Sequence, residues 1–404
     1  MLRPLFVTGS LAHGGAERHS ITLLNRLAER GHDCHAVYLK EPADQLPRIR
    51  QPVPCVRGLA AAGFIDPRAI HDFAIHIGRL RPTVLVAANG YALLHASLAR
   101  LRSGLAVPIV ATFHTTLVDG WREQAKLLLE RPFFWRARAT VFVCAAQKRH
   151  WLRRGLGSWR NPVIYNGVDT GHFAERGTAA ERQARRRALG FAEADYVIAI
   201  SAVLRPEKNH CQLVDALAIL RQMGLPARLL LIGDGPQRAA IEAHARARGV
   251  AGQLHITGFV QDVRPWLAIC DVAVLCSLSI ETFSLAALEA MAMGKPVIHS
   301  AIGGAAEMIQ PGRNGHLFPA GNTSELVDCL VLTAERERAA AMGAAARQLV
   351  EARFSEGAMV DHYERLLTDI CRNHPATAAW PAAASRGGLP NPPVEQGASS
   401  HENV

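Results

Sequence analysis

Two successive series of short apolar runs, each run followed by an amphipathic stretch, limit what this chain can fold into. In the first series the runs fall at residues 5–8, 34–39, 83–87, 109–113 and 140–144. Helical patterns at 16–29, 66–80, 92–101, 119–134 and 146–152 separate or follow them, the first with apolar residues at 21, 23, 24, 27 and 28. Such alternation predicts a parallel sheet covered by helices. Over 173–187 the composition turns polar and Arg-rich, and a second series begins. Its strands are expected at 196–202, 228–232, 254–257, 272–276 and 296–300. Its helices are expected at 211–223, 236–248, 263–268, 285–293, 324–332 and 334–354. The predicted fold is α/β, with two Rossmann-like doubly wound domains at 1–178 and 190–355. An amphipathic helix over 356–372 is expected to cross back to the first domain. Residues 374–404 are dominated by Pro, Gly, Ala and Ser and are expected to be disordered. Ligands of doubly wound sheets bind outside the carboxyl ends of the strands, so both halves should turn their loops toward a shared cleft.

The length of 404 residues suits two domains, each with its own core. A net charge of +10 points to an anionic partner, either a phosphorylated substrate or an acidic membrane surface, unless the charge is simply solvated. Nucleic acid is not expected, because only Trp151 and Trp159 interleave the basic clusters with aromatic rings. The eight cysteines form no Cys-x-x-Cys pair, which favours buried thiols in a reducing cytosol. No apolar stretch approaches the roughly 20 residues of a membrane-spanning helix. The expected location is therefore cytoplasmic, with any membrane association peripheral.

Chemistry concentrates in residues 279–297. Glu281 and Glu289 stand eight positions apart, separated by a small, mostly apolar run that reads as a helix start. Glu281 is expected in the loop before the helix and Glu289 about two turns inside it. Ser279, Thr282 and Ser284 can cap free backbone N–H groups there. A helix start with free N–H groups at the positive end of its dipole is a phosphate site. One segment can thus hold an anion on backbone amides and grip two hydroxyl-bearing groups with carboxylates. Phosphate flanked by hydroxylated rings describes a sugar nucleotide.

Other segments fit that reading, though each also has a plainer one. Gly14 and Gly15 follow the first strand and allow tight turning or close approach of a ligand. They do not complete a dinucleotide-binding fingerprint. Arg205 and Lys208 follow the first strand of the second half, placed to neutralise a diphosphate or simply to be solvated. His114 ends a strand of the first half, as a structural residue or as one facing the cleft. Asn166-Gly167-Val168-Asp169 and Gly233-Asp234-Gly235-Pro236 read as turns.

Taken in order, these segments resemble the retaining glycosyltransferases of the GT-B fold, in the large family 4 that uses nucleotide-sugar donors. The resemblance runs from about Leu5 to Cys371. It rests on Glu281 and Glu289 as the family's E-x7-E, with Gly-Gly-Ala-Glu-Arg at 14–18, Asn-Gly-Val-Asp at 166–169 and Gly-Asp-Gly-Pro at 233–236. It implies that Glu289 binds the ribose hydroxyls, that Glu281 binds the donor sugar, and that the amides of Phe283, Ser284 and Leu285 meet the diphosphate. Lys208 would neutralise that diphosphate, the loop carrying Gly258 and Val260 would lie against the base, and Gly15 would approach the phosphates from the other domain. His114 would face the donor sugar, making His114, Glu281 and Lys208 the catalytic set. Where many members place an arginine five positions before the lysine, this chain has Val203, with Arg205 nearer.

The resemblance further implies same-face attack with retention, a hexose-type UDP-sugar donor, and a glycan or lipid-linked acceptor such as lipopolysaccharide. No metal or other cofactor is expected, because the chain has no Asp-x-Asp and the cations can neutralise the phosphates. A helix over 119–138, with Trp121, Phe133, Phe134 and Trp135 beside several arginines, either lies on an anionic membrane or packs into the core. An epimerase or phosphorylase of the same fold, or a non-catalytic nucleotide-sugar-binding subunit, remains an alternative.

Overall fold

The computed structural model describes residues 1–116, 120–174, 177–279 and 281–374. The expected disordered tail therefore lies, from residue 375 onward, outside the described residues. The first half runs β1 (Pro4–Thr8), α1 (Gly15–Glu29), β2 (His35–Tyr38), β3 (Cys55–Gly58), α2 (Pro67–Leu80), β4 (Val84–Ala88) and α3 (Asn89–Ser103). It continues with β5 (Ile109–Phe113), α4 (Trp121–Arg136), β6 (Ala139–Phe142) and α5 (Ala145–Leu152). The second half runs α6 (Ala179–Ala188), β7 (Tyr196–Ser201), α7 (His210–Gln222), β8 (Ala227–Ile232), α8 (Arg238–Ala247), β9 (Leu254–Ile256) and α9 (Arg264–Leu267). It ends with β10 (Val272–Leu275), α10 (Leu285–Ala292), β11 (Val297–Ser300), α11 (Ala305–Met308), β12 (Gly315–Phe318), α12 (Thr323–Leu332), α13 (Arg336–Arg353) and α14 (Glu356–Arg372).

Each half forms a six-stranded, all-parallel sheet, ordered β3-β2-β1-β4-β5-β6 in one and β12-β11-β10-β7-β8-β9 in the other. The strands flanking each reversal of order are largely apolar on both faces because helices cover both. Leu5 and Val7 pack into one core while Phe6 packs into the opposite one, with Leu23, Leu24 and Leu27 of α1. In β7, Val197 and Ala199 face one core and Tyr196, Ile198 and Ile200 the other. The order reverses between β1 and β4, and again between β7 and β10, so the loops leaving those strands diverge and open a crevice at each point.

Two departures from the expected elements have local causes. The edge strands β3 and β12 were not anticipated, because neither is a continuous apolar run: Cys55–Gly58 is only half-buried and Gly315–Phe318 includes a histidine. The Arg-rich stretch expected as a polar junction is partly helix. Thr178 and Glu181 form a capping box that starts α6. Arg186 ties that helix to the second half, bonding the Asp271 carboxylate at 2.7 Å and the Ile269 carbonyl at 2.9 Å. The final helix, α14, lies on the first sheet. Met359, Val360, Tyr363, Leu367 and Ile370 join Phe6, Val86 and Val110 in one core.

Candidate functional site

Because β7 and β10 pair directly, the loops leaving them run side by side. They bring Lys208 Nζ to 2.6 Å from Glu281 Oε2, although 73 positions separate the two residues. Lys208 closes a short 3-10 turn, Pro206–Lys208, and the Cys276 thiol donates to its carbonyl at 3.2 Å. The Ser277 hydroxyl donates to the same Glu281 oxygen at 3.4 Å. Beneath the pair lie two buried histidines. Burial keeps His299 below the usual imidazole range against an opposing pull from the Glu281 charge. Burial and the Lys208 charge bring His210 to about 4.

The helix carrying Glu289 begins where the sequence pattern places it. Ser284 takes the cap position, its hydroxyl accepting from the Ala287 amide at 3.3 Å, so α10 starts at Leu285. Glu289 is then the fifth residue of the helix rather than two turns inside it. Neither Ser279 nor Thr282 caps this helix; Thr282 turns its hydroxyl across the cleft instead. The amides of Phe283, Ser284 and Leu285 donate to no acceptor among the described residues. They stand at the positive end of the helix, where backbone N–H groups attract an anion.

The 281–284 loop is clamped against the first half. Thr282 Oγ1 donates to the His114 carbonyl at 3.0 Å and lies 2.7 Å from Thr116 Oγ1. The Cys144 thiol donates to the Thr282 carbonyl at 3.4 Å, and the Asn166 amide donates to the Phe283 carbonyl at 2.9 Å. Nearby, the Glu307 carboxylate accepts from the first amides of α5, Ala145 and Ala146, at 2.8 and 2.7 Å, and from the Tyr165 hydroxyl at 2.9 Å. From the second sheet, Gly303 and Gly304 press on the same loop. A Cβ at Gly303 would stand 1.9 Å from the Glu281 carbonyl oxygen, and the Gly304 amide donates to the Thr282 carbonyl at 2.7 Å.

The remaining expected residues divide clearly. Gly15 opens α1 at the carboxyl end of β1, and a Cβ there would meet nothing within 4 Å. The protein's own packing does not require glycine at that position, so any requirement must come from what approaches it. Glu289, buried to 3% exposure, is paired with the guanidinium of Arg18, one turn along α1 in the other half. Gly258 adopts φ +72 and bridges to Gly233, while Val260 packs half-buried on the core below. Between them Phe259 is exposed, its ring centroid 5.4 Å from that of His13 in the glycine loop of the first half. His114 follows β5 directly, with its ring buried; its amide donates to Asn89 Oδ1 at 2.9 Å, and its Nε2 has no hydrogen-bond partner among the described residues. Arg205 does not join this group. Its side chain is 57% exposed and its only ion-pair contact among the described residues is Glu207, at 4.0 Å.

Sequence reasoning gave Arg18 and His19 no role of their own, missed Thr116, Glu307 and Tyr363, and placed Thr282 as a cap rather than across the cleft. A signal existed for the first two. Gly15, Arg18 and His19 are spaced i, i+3, i+4 and share one face of α1, so a glycine aimed at the cleft implied that they were aimed there too. Arg18 and Glu289 are distant in sequence, and no local pattern joins them.

Two doubly wound parallel domains that close a cleft from their strand ends, with a carboxylate pair at a free helix start, define the GT-B architecture. The chain belongs to the group 1 glycosyltransferases of family 4. The profile described as "Glycosyl transferases group 1" matches residues 181–349 and the one described as "Glycosyltransferase Family 4" matches 13–172. Among curated relatives, N-acetyl-alpha-D-glucosaminyl L-malate synthase of Bacillus anthracis is 29% identical over 212 residues, which is 52% of this chain and 54% of that protein. Phosphatidyl-myo-inositol mannosyltransferase of Mycobacterium leprae is 29% identical over 245 residues, 59% of this chain and 62% of that protein. The chain thus spans little more than half the length of the curated relatives it matches. The solved structure of Anabaena HepE in complex with UDP superposes with a TM-score of 0.81 at 22% identity, covering 91% of this chain and all of that one. That likeness shows the fold.

Proposed function

We propose that this protein transfers a hexose-type sugar from a nucleotide donor, a UDP-sugar, to a hydroxyl of a growing surface glycan such as lipopolysaccharide or another lipid-linked polysaccharide, with retention at the anomeric carbon. The observation that carries this reading is the 2.6 Å Lys208–Glu281 pair, set before the free amides of the helix that bears Glu289. In the reaction the bond from the anomeric carbon to the diphosphate breaks. Positive charge develops on the ring and negative charge on the leaving phosphate. Lys208 and the amides of Phe283, Ser284 and Leu285 stabilise that phosphate more in the transition state than in the ground state. Glu281 holds the donor sugar, Glu289 the ribose, and Gly15 leaves room for the phosphates. Gly258 and Val260 border the base. His114 faces the sugar, and the acceptor hydroxyl attacks the same face as the leaving phosphate, which takes the proton. Arg205 is not assigned a role. No metal or other cofactor enters this scheme.

The curated relatives support the reaction class by name, as a glucosaminyl malate synthase and a mannosyltransferase, and HepE has been solved with UDP-glucose as well as UDP. The test is ligand-induced stabilisation. A nucleotide at a hundredfold excess over its Kd should add about 2.7 kcal/mol to the folded state, read as a rise in thermal midpoint. UDP should give that rise, and Glu289→Ala should remove it. Unchanged midpoints with UDP, GDP and their sugar derivatives would overturn the reading.

Location is part of the same proposal: a cytoplasmic protein held peripherally on an anionic membrane surface. Among the described residues no helix is long and apolar enough to cross a membrane. Of the aromatic residues expected on α4, Phe134 is fully buried in the core and Phe133 is half-buried. Trp121, Leu128 and Trp135 are exposed, spaced by seven positions along one side, with Arg122 stacked on Trp121. Apolar side chains bordered by cations fit an anionic bilayer surface. In flotation with phosphatidylglycerol vesicles, the wild-type protein should rise with the lipid and a Trp121→Ala, Trp135→Ala double variant should stay behind. Equal flotation of both would remove α4 from membrane contact.

A further inference from the structure

Resting on the reading that His114 faces the donor sugar, we propose that His19 and Tyr363 are positioning residues for His114, so that the C-terminal helix sets the orientation of that ring. His114 is held through its backbone rather than through Nε2 of its ring. Its backbone is fixed on both sides, the amide on Asn89 and the carbonyl on Thr282. At Nε2 the ring is buried with no hydrogen-bond partner among the described residues. The ring's aromatic neighbour is His19, at a centroid distance of 4.7 Å and an interplanar angle of 62°. An edge-to-face contact of this kind limits how the second ring can turn.

His19 is itself held from elsewhere in the fold. Its Nε2 lies 3.1 Å from the Tyr363 hydroxyl, across 344 positions of sequence, and the two rings stand 5.4 Å apart. Tyr363 is fully buried on α14, within the core formed by α1 and the first sheet. Asn166 also neighbours His19 and raises its proton affinity, against a larger lowering by burial that leaves His19 near 4. The same Asn166 donates to the Phe283 carbonyl at the start of the donor helix. His19 therefore stands where α14, the 166–169 turn and the end of β5 meet. A rigid group whose own rotamer is fixed by a buried hydrogen bond can hold a neighbouring group to the tolerance a reaction needs. The energetic case is the familiar one of orientation: a displacement near 1 Å can cost about 100-fold in rate.

The roles follow chemically. With His19 neutral, one ring nitrogen carries the proton and the other accepts, and the Tyr363 hydroxyl, which can donate or accept, holds Nε2 in either tautomer. Removing that hydroxyl frees the tilt of His19, and the His114 ring loses its fixed wall. Among the described residues no hydrogen bond, ion pair or ring contact joins His19 or Tyr363 to Glu281, Glu289 or Lys208.

The experiment compares wild type, Tyr363→Phe and His19→Gln with two readouts. Imidazole nitrogen NMR of the histidine-labelled, ligand-free protein reports the His114 ring directly. Both variants should shift or broaden the His114 signals, which a merely structural loss of stability would not do in the folded protein. The second readout is turnover of UDP-glucose, UDP-N-acetylglucosamine and GDP-mannose to nucleotide and free sugar by water. For whichever sugar is cleaved, Tyr363→Phe should lower kcat by about 10-fold with KM for the donor within twofold. Unchanged His114 signals in both folded variants would overturn the proposal, as would an unchanged kcat. Failure of the wild type to bind any nucleotide would instead overturn the donor reading, and the two failures are thereby distinguished.

Discussion

Lys208→Ala is expected to lower sugar transfer by about 10²–10³-fold while the protein stays folded. A donor group aimed at developing negative charge in a shielded site contributes on that scale when removed. Lys208 satisfies the geometric requirement. It sits at the carboxyl end of β7, three-quarters shielded from solvent, at 2.6 Å from Glu281 and in front of a helix start. Arg205, the other cation of the loop, is exposed and offers no replacement. The loss should appear mainly in kcat, because the charge on the leaving phosphate grows as the glycosidic bond breaks. Part of it will come from Glu281, whose Oε2 would retain, among the described residues, the 3.4 Å Ser277 hydroxyl alone and a mostly buried charge without its cation. Lys208→Arg should restore little, since a planar, weakly hydrated guanidinium does not replace a compact ammonium at this spacing. Steady-state kinetics with the donor found by thermal shift decide the matter. A kcat within threefold of wild type would remove Lys208 from the chemistry.

Gly303→Ala should be the most disruptive single-methyl change near the site, destabilising the protein by about 3 kcal/mol and weakening nucleotide binding with it. Two costs combine. Gly303 adopts φ +56, a conformation that L side chains enter with strain. The added Cβ would also fall 1.9 Å from the Glu281 carbonyl and 2.9 Å from the Thr282 carbonyl, both backbone atoms that cannot swing aside. Relief requires the 281–284 loop to move, and that loop carries Glu281 and the amides of the helix start. Thr282 would then lose its hydrogen bond to His114, so the disturbance would reach both halves. Urea unfolding measures the first effect and calorimetric titration of UDP the second. A stable variant with unaltered UDP affinity would show that the loop accommodates the methyl group. By contrast, Gly15→Ala meets no protein atom, so a loss of donor affinity there would report on the ligand alone.

Much of this site was legible before any coordinates. The central strands announced themselves because strands buried on both faces must be apolar throughout, as Val197–Ile200 and Val84–Ala87 are. Glu281, Glu289 and Ser284 were legible because capping chemistry is local: a hydroxyl must precede the first helical turn it caps. The edge strands β3 and β12 escaped because half of each faces outward and the apolar signal is diluted. The helix start at Leu285 is as expected, and Glu289 lies a little over one turn into it rather than two. Of the three hydroxyl-bearing residues near that start only Ser284 caps it, Thr282 being drawn to His114 and Thr116. On α4, aromatic content alone did not distinguish Phe134 in the core from Trp121 and Trp135 outside.

The alternating strands and helices, the two-domain layout and the chemical types gathered at the strand ends are written in the chain, since they follow from periodicity and capping within a few residues. Which of those groups meet depends on how the folded halves pack. Strand order placed β10 beside β7 and so put Glu281 on Lys208. Closure of the halves set Arg18 on Glu289. The return of α14 placed Tyr363 behind His19 and His114. Such pairings are fixed by burial and packing between segments far apart in the chain, and a local pattern carries no record of them.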